Sequence, residues 1–229
     1  MEKVGVIIAA AGAGKRMGQD KIFAGLLGRP LLVWAVEPFQ SCDLVNQIVI
    51  VLRAKDLERG RRLLREYNWA KVKAVCPGGE RRQDSVAEGL KRLEDCEWVV
   101  VHDGARPCLT PELIEKGLAE AKETGAAIAA VPVKDTIKEV EGGFVKLTPG
   151  RETLWAAQTP QVFRFELLAQ AHEKISDEVS DDALMVEKLG HRVRVYPGSY
   201  TNVKVTTPED LELAEIILRG RISASRDRI

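Results

Sequence analysis

Four stretches of the chain are continuously apolar with little polar alternation: Val4-Gly-Val-Ile-Ile-Ala, Gln47-Ile-Val-Ile-Val-Leu, Trp98-Val-Val-Val-His and Ala126-Ala-Ile-Ala-Ala-Val. A strand that hides one face alternates, whereas a strand covered on both faces has no reason to. These stretches therefore read as parallel central strands. Between them, Pro30 to Phe39, Lys55 to Tyr67, Ser85 to Leu93 and Pro111 to Lys122 carry apolar residues at helical spacing. The βαβα alternation predicts an α/β fold, a doubly wound and mostly parallel Rossmann-like sheet with helices on both faces. In such sheets ligands collect beyond the carboxyl ends of the strands.

Other signals refine the ends. Thr110-Pro111 and Thr207-Pro208 each put a hydroxyl at a helix N-cap and proline at the first helical position. The last helix is expected through Leu211, Ala214 and Leu218, with 219–229 as a frayed polar tail. Val133-Lys-Asp-Thr-Ile-Lys-Glu-Val alternates with period two, turns at Glu141-Gly-Gly and resumes with Phe144-Val-Lys-Leu, the pattern of a β-hairpin. An isolated two-stranded arm is marginal in water, so an arm over 132–154 is expected to pack on something. A second copy of the chain is the simplest partner, which predicts a homodimer.

Composition narrows the class. At 229 residues, 45% hydrophobic and 30% charged, the chain reads as one globular domain over 1–229 without a linker. Its formal net charge is zero, so no global field exists to gather nucleic acid or an anionic membrane, and any anion site must be local. The four cysteines form no CxxC pair and the three histidines no metal-ligand spacing, which suits reduced thiols in a cytoplasmic protein. Val4 to Ala11 behind Lys3 imitates a secretory leader, but the run is short and passes directly into Gly12-Ala-Gly-Lys-Arg. It reads as a buried strand entering a loop. No stretch is long enough to span a bilayer.

The loop after the first strand, Ala9-Ala-Ala-Gly12-Ala-Gly14-Lys15-Arg16-Met-Gly18-Gln-Asp-Lys21, lets backbone N–H groups approach an anion. It is not a Walker A loop, since neither Ser nor Thr follows Lys15. Nor is it G-x-G-x-x-G, because the third glycine comes one residue late. Lys15, Arg16 and Lys21 together exceed what a dinucleotide loop requires and suit a triphosphate of roughly four negative charges. Taken alone, the loop is also compatible with a plain strand-to-helix turn carrying solvated bases.

Further segments follow in order: Gly78-Gly-Glu-Arg-Arg-Gln-Asp84-Ser85-Val, Val101-His-Asp103-Gly-Ala-Arg106-Pro, Val133-Lys-Asp-Thr136 with Leu154-Trp-Ala-Ala-Gln-Thr159-Pro-Gln, and Tyr200-Thr-Asn-Val-Lys204-Val-Thr. In this order and spacing the chain resembles the 2-C-methyl-D-erythritol 4-phosphate cytidylyltransferase family over almost its whole length. In that family the stretch between the loop arginine and the catalytic lysine is usually a little longer and often carries Pro-Lys-Gln. Here Lys21 is the natural match.

The resemblance implies transfer of a cytidylyl group from CTP to the polyol phosphate, with pyrophosphate leaving. It assigns Arg16 and Lys21 to the triphosphate and to the charge developing at the α-phosphorus. Backbone groups of Ala10, Ala11, Gly12 and Gly14 and the Gly78, Gly79, Asp84, Ser85 segment are expected to hold CTP, the latter at the cytosine, with Gly104 beside Asp103. Asp103, following a strand at the carboxyl edge, is the expected Mg²⁺ ligand. Arg106 and Thr159 are expected near the substrate. Arg151 and Lys204, the latter ending a late strand, are implied to orient methylerythritol phosphate, with Thr136 and Arg151 arriving from the partner subunit. Since roughly six negative charges converge, positioning and neutralisation suffice and no covalent nucleophile is required. Ribitol 5-phosphate as acceptor, a dinucleotide-binding oxidoreductase and a non-catalytic nucleotide-binding dimer remain as alternatives.

Overall fold

The computed structural model describes residues 2–12 and 20–226. Strand β1 (Val4–Ala9) leads through a small ribbon, β2 (Gly25–Leu26) and β3 (Arg29–Pro30), into α1 (Leu31–Ser41). Then come β4 (Gln47–Leu52), α2 (Leu57–Glu66), β5 (Val72–Pro77), α3 (Arg82–Leu90), β6 (Trp98–Asp103), α4 (Pro111–Thr124) and β7 (Ala126–Pro132). An exposed hairpin follows, β8 (Glu139–Glu141) and β9 (Phe144–Leu147). The chain returns through β10 (Trp155–Arg164), α5 (Phe165–Lys174), α6 (Asp182–Lys188), β11 (Arg194–Pro197) and α7 (Pro208–Arg226).

The main sheet has seven strands in the order β11-β7-β10-β6-β1-β4-β5. Every neighbouring pair is parallel except the two that β10 makes, with β6 and β7. The antiparallel strand follows from its connection. Parallel neighbours need a crossover, whereas β7 and β10 are joined by the arm, which leaves and re-enters the sheet at one end.

The unbroken apolar runs are explained by what covers them. Val6, Ile8 and Ile50 face α1, α2 and α4, while Ile7, Val49, Val51 and Val101 face α3, α5 and α6. These side chains are fully buried, each contributing roughly 2 kcal/mol of transfer free energy. A third cluster, Leu26, Leu31, Cys108, Val205, Ala214 and Leu218, seats α7 against the β2–β3 ribbon.

Several expectations need correction. The tail expected to fray is helical to Arg226, because Arg221 gives it partners: Nη1 donates to the Cys108 carbonyl at 2.9 Å and Nη2 to Thr201 Oγ1 at 3.0 Å. The hairpin is shorter than its alternation implies, since Val133 to Lys138 forms no ladder with the returning strand beyond the Val133 N–H to Leu154 carbonyl bond of 3.1 Å. Its turn has positive φ at Gly142 (59°) and Gly143 (86°), as a type I′ turn requires. Lys204 does not end a strand; it lies in the irregular segment between β11 and α7.

Candidate active site

After β1 the chain passes through α1 to β4 on one side, and after β5 it returns through α3 to β6 on the other. The sheet order therefore reverses between β1 and β6, and the crevice outside their carboxyl ends is where a doubly wound sheet collects ligands. Ala9 and Asp103 are register partners at that point. The loops beyond are pinned to the strands: Ala10 N–H donates to Val51 O at 2.9 Å, Gly104 N–H to Ala9 O at 2.9 Å and Gly78 N–H to Leu52 O at 2.8 Å. Gly78 is required by close approach. A Cβ there would lie 2.5 Å from both Ala11 Cβ and Ser85 Oγ, so any side chain would push the first loop away from α3.

The resulting cleft has a volume of about 170 Å³. Ala10, Ala11, Gly12, Lys21, Gly79, Ser85, Asp103 and Lys204, all singled out from the sequence, line it, together with Arg81 and Arg82, which were not. Arg16 and Gly14 lie outside the described residues. A wider groove of about 760 Å³ lies elsewhere, lined by Trp34, Tyr67 and Trp69 with Glu37, Glu112 and Arg221. That charge balance does not suit a triphosphate.

Asp103 is the electrostatic centre of the cleft. Its Oδ2 lies 2.7 Å from Lys204 Nζ and 3.8 Å from Arg106 Nε, and its Oδ1 accepts from Arg82 Nε at 3.2 Å. Burial alone would raise its pKa, but the charges of Arg82 and Lys204 outweigh burial and hold the carboxyl well below the usual range. Arg82 is shared with a second carboxylate, Asp182 on α6, whose Oδ2 accepts from Nη1 at 2.6 Å. Asp182 is fully buried.

A buried hydrogen-bond network fixes Asp103 from behind. Its backbone N–H donates to Thr159 Oγ1 at 3.1 Å, and Thr159 Oγ1 lies 3.0 Å from His102 Nδ1. His102 Nε2 is 3.2 Å from the Arg106 carbonyl. Burial depresses the imidazole to about pKa 4, so it is neutral here, with one nitrogen donating and the other accepting. Asn202 Nδ2 donates to Thr159 O at 2.8 Å, and Arg106 Nη1 donates to Asn202 O at 2.7 Å. Thr159 and Arg106 are therefore buried supports of the site floor in this chain and do not line the cleft. Arg106 also ties the segment carrying Lys204 to the end of β6.

The remaining expected residues lie apart. Asp84, on the first turn of α3, accepts from the Arg81 backbone N–H at 3.1 Å and from Arg81 Nη2 at 2.6 Å, so it caps the helix. Thr136 and Arg151 lie exposed along the arm segment, Arg151 Nη1 donating to Lys134 O at 3.0 Å. Neither lines this chain's cleft. Sequence reasoning also missed Asp20, beside Lys21. Asp20 pairs with Arg53 and, at 2.8 Å, with Arg59, which anchors the exit of the glycine loop to the end of β4 and to α2.

Among the described residues no group of three or more His, Cys, Asp or Glu side chains is arranged for a metal. Asp103 nevertheless suits a hard cation. Mg²⁺ keeps water and phosphate ligands and takes one or two carboxylates from the protein; Asp103 is the carboxylate on the cleft wall that would serve, its oxygens held in this structure by Arg82 and Lys204.

A family model described as 2-C-methyl-D-erythritol 4-phosphate cytidylyltransferase matches residues 4–220. A protein of that name from Dehalococcoides mccartyi is 50% identical over 220 residues, covering 95% of this chain and 97% of its own length. One from Alkaliphilus oremlandii is 45% identical, with 96% and 97% covered. Among solved structures, the 4-diphosphocytidyl-2C-methyl-D-erythritol synthase of Anaerococcus prevotii superposes with a TM-score of 0.84 at 31% identity, covering 95% of this chain and 99% of that one. The 2-C-methyl-D-erythritol 4-phosphate cytidylyltransferase of Thermus thermophilus gives 0.76 at 34% identity, with 96% and 100% covered.

Proposed function

This chain belongs to the 2-C-methyl-D-erythritol 4-phosphate cytidylyltransferase family, and from that premise we propose how its cleft carries out the family's reaction. The enzyme transfers CMP from CTP to 2-C-methyl-D-erythritol 4-phosphate, in isoprenoid precursor biosynthesis. A phosphate oxygen of the polyol phosphate bonds to the α-phosphorus of CTP, the bond from that phosphorus to the β-phosphate oxygen breaks, and pyrophosphate leaves with the electron pair.

The observation that carries the site assignment is the convergence of Lys21, Asp103 and Lys204 on one cleft at the switch point. Two anionic reactants repel, so the dominant task is neutralisation by groups already in place. Lys21 and Arg16 take the triphosphate and the charge that grows at the α-phosphorus. Backbone groups of Ala10, Ala11, Gly12 and Gly14 receive the phosphates and ribose. Gly78, Gly79 and Ser85 face the base, Asp84 holds that turn in shape, and Gly104 lets the Asp103 loop approach. Lys204 orients the incoming phosphate, with Arg106 and Thr159 behind it. Asp103 would hold Mg²⁺, which when bound would supply positive charge to the phosphate oxygens.

Residues 1–229 form one catalytic unit, and the arm over 132–154 completes the site of a second copy. Support comes from its apolar side chains: Phe144 is 80% exposed, Val145 60% and Leu147 54%, more apolar surface than a two-stranded arm keeps in water. The partner subunit's Thr136 and Arg151 then reach the polyol phosphate. No helix among the described residues is long and apolar enough to cross a membrane, and the four cysteines are free thiols. Both fit a cytoplasmic enzyme.

The test is pyrophosphate release. With Mg²⁺, CTP and methylerythritol phosphate should turn over, while ATP, GTP, UTP or ribitol 5-phosphate in place of the matching reactant should fall at least about a hundredfold in kcat/KM. Equal turnover of ribitol 5-phosphate would shift the assignment to that acceptor.

A further inference from the structure

Arg82, the first residue of α3, lines the cleft, and beyond its ion pair with Asp103 it has no role toward a ligand in the reading so far. Its guanidinium is held from two directions, Nε on Asp103 Oδ1 at 3.2 Å and Nη1 on Asp182 Oδ2 at 2.6 Å. The third nitrogen, Nη2, is buried and has no hydrogen-bond partner among the described residues. Buried donors are almost always satisfied, and one that is not asks for an acceptor from outside the chain. On a residue that borders a cleft for a ligand rich in oxygen, the ligand is the natural source.

Asp182 explains why Nη2 remains unspent. It is completely buried and does not border the cleft, so it meets the ligand only through Arg82. Its other oxygen, Oδ1, lies 3.6 Å from His172 Nε2 on α5. The segment that brings it in is clamped to the start of α3. Arg81 Nη1 donates to Ser176 O at 3.0 Å, Gln83 Nε2 to Asp177 O at 3.0 Å, and Val179 N–H to Gln83 Oε1 at 3.1 Å. Asp181 Oδ1 then caps α6, accepting from Leu184 N–H at 3.0 Å. This places a carboxylate in the interior against the Arg82 guanidinium. A guanidinium is planar, and two carboxylates on two of its nitrogens fix its plane and the direction of the third.

We propose that Arg82 is a nucleotide-contacting residue, its Nη2 donating to an oxygen of bound CTP, and that Asp182 is the positioning residue that holds it in that attitude. The inference rests on CTP as the nucleotide of this cleft. It predicts a specific pattern of loss. Arg82→Gln and Arg82→Lys, the latter keeping the charge but losing the fork, weaken CTP binding roughly tenfold or more, while KM for methylerythritol phosphate stays within about twofold. Asp182→Asn weakens CTP binding severalfold when Arg82 is present and adds nothing in the Arg82→Gln background, because it acts only through that side chain.

The experiment is calorimetric titration of CTP into the intact wild-type enzyme, the three single variants and the double variant, with circular dichroism to confirm folding and steady-state KM for both substrates. If Asp182→Asn does not fold, Asp182→Glu replaces it, keeping the charge and displacing it by one methylene. CTP affinity unchanged in both Arg82 variants overturns the contact. An Asp182 effect of equal size in both backgrounds, or a loss of stability with CTP affinity intact, overturns the positioning role. The two readings fail differently: a wild-type enzyme that releases no pyrophosphate from CTP removes the premise and the inference together, whereas normal turnover with indifferent Arg82 variants removes the inference alone.

Discussion

Lys204 Nζ sits 2.7 Å from Asp103 Oδ2, so the lysine assigned to the acceptor phosphate and the carboxylate assigned to the metal on CTP are in direct contact. The two half-sites share a boundary at this pair. Asp103→Asn removes the negative end while leaving the shape, and kcat should fall by about 10² to 10³. The residual rate should lose its steep dependence on Mg²⁺ concentration. Steady-state rates across a metal titration check this, and an unaltered metal curve would remove Asp103 from the metal role.

Asp20 offers a different kind of test, because it touches neither reactant in this account. Its ion pairs with Arg53 and Arg59 hold the turn that presents Lys21. Asp20→Ala should lower kcat roughly tenfold by letting Lys21 wander. Ion pairs open in part to solvent add little to stability, so the melting temperature should scarcely move. A large drop in melting temperature with normal kcat would show the cluster to be structural.

Arg151 and Lys21 lie in the two groups that a shared site would draw from separate subunits. Arg151→Ala should raise KM for methylerythritol phosphate at least tenfold and KM for CTP by less than about twofold. At methylerythritol phosphate concentrations well below KM, where each variant alone turns over slowly, mixing Arg151→Ala with Lys21→Ala should raise activity above the sum of the two, because a mixed dimer would contain one intact site. No recovery after subunit exchange has been verified would confine each site to one chain.

The thiols give the pH dependence. Burial raises Cys96 and Cys108 from 9.0 to about 11. At pH 8 only about one thiol in a thousand is then ionised, and iodoacetamide should label the native protein far more slowly than the urea-unfolded chain. Because the folded pKa lies above the unfolded one, this contribution to stability is complete below about pH 9 and is lost as pH climbs through about 11. Equal labelling of native and unfolded protein at pH 8, read by intact mass, would contradict it.

What the sequence made legible was local. The run Val4 to Ala9 announces a strand covered on both faces because burial on two sides removes alternation, and Asp103 declares itself by ending another such run. Asp182 could not be found that way. It meets Arg82 across a separation of 100 residues, and nothing in Val-Ser-Asp-Asp-Ala distinguishes a buried carboxylate from a helix cap until the segment is docked on α3. β10 carries no unbroken apolar run, and Pro160 within it is absorbed as an irregularity in register between Ala157 and Gln161. The terminal helix was cut short because its arginines read as solvated charge, whereas Arg221 is spent on the carbonyls of Cys108 and Leu109.

The most direct test is diffraction from crystals soaked with CTP and Mn²⁺ in place of Mg²⁺. An anomalous peak is expected at coordination distance from Asp103, about 2.2 Å, with the triphosphate running toward Lys21 and the base beside Gly79 and Ser85. A metal peak remote from Asp103, or a nucleotide seated in the groove of Trp34 and Trp69, would contradict it.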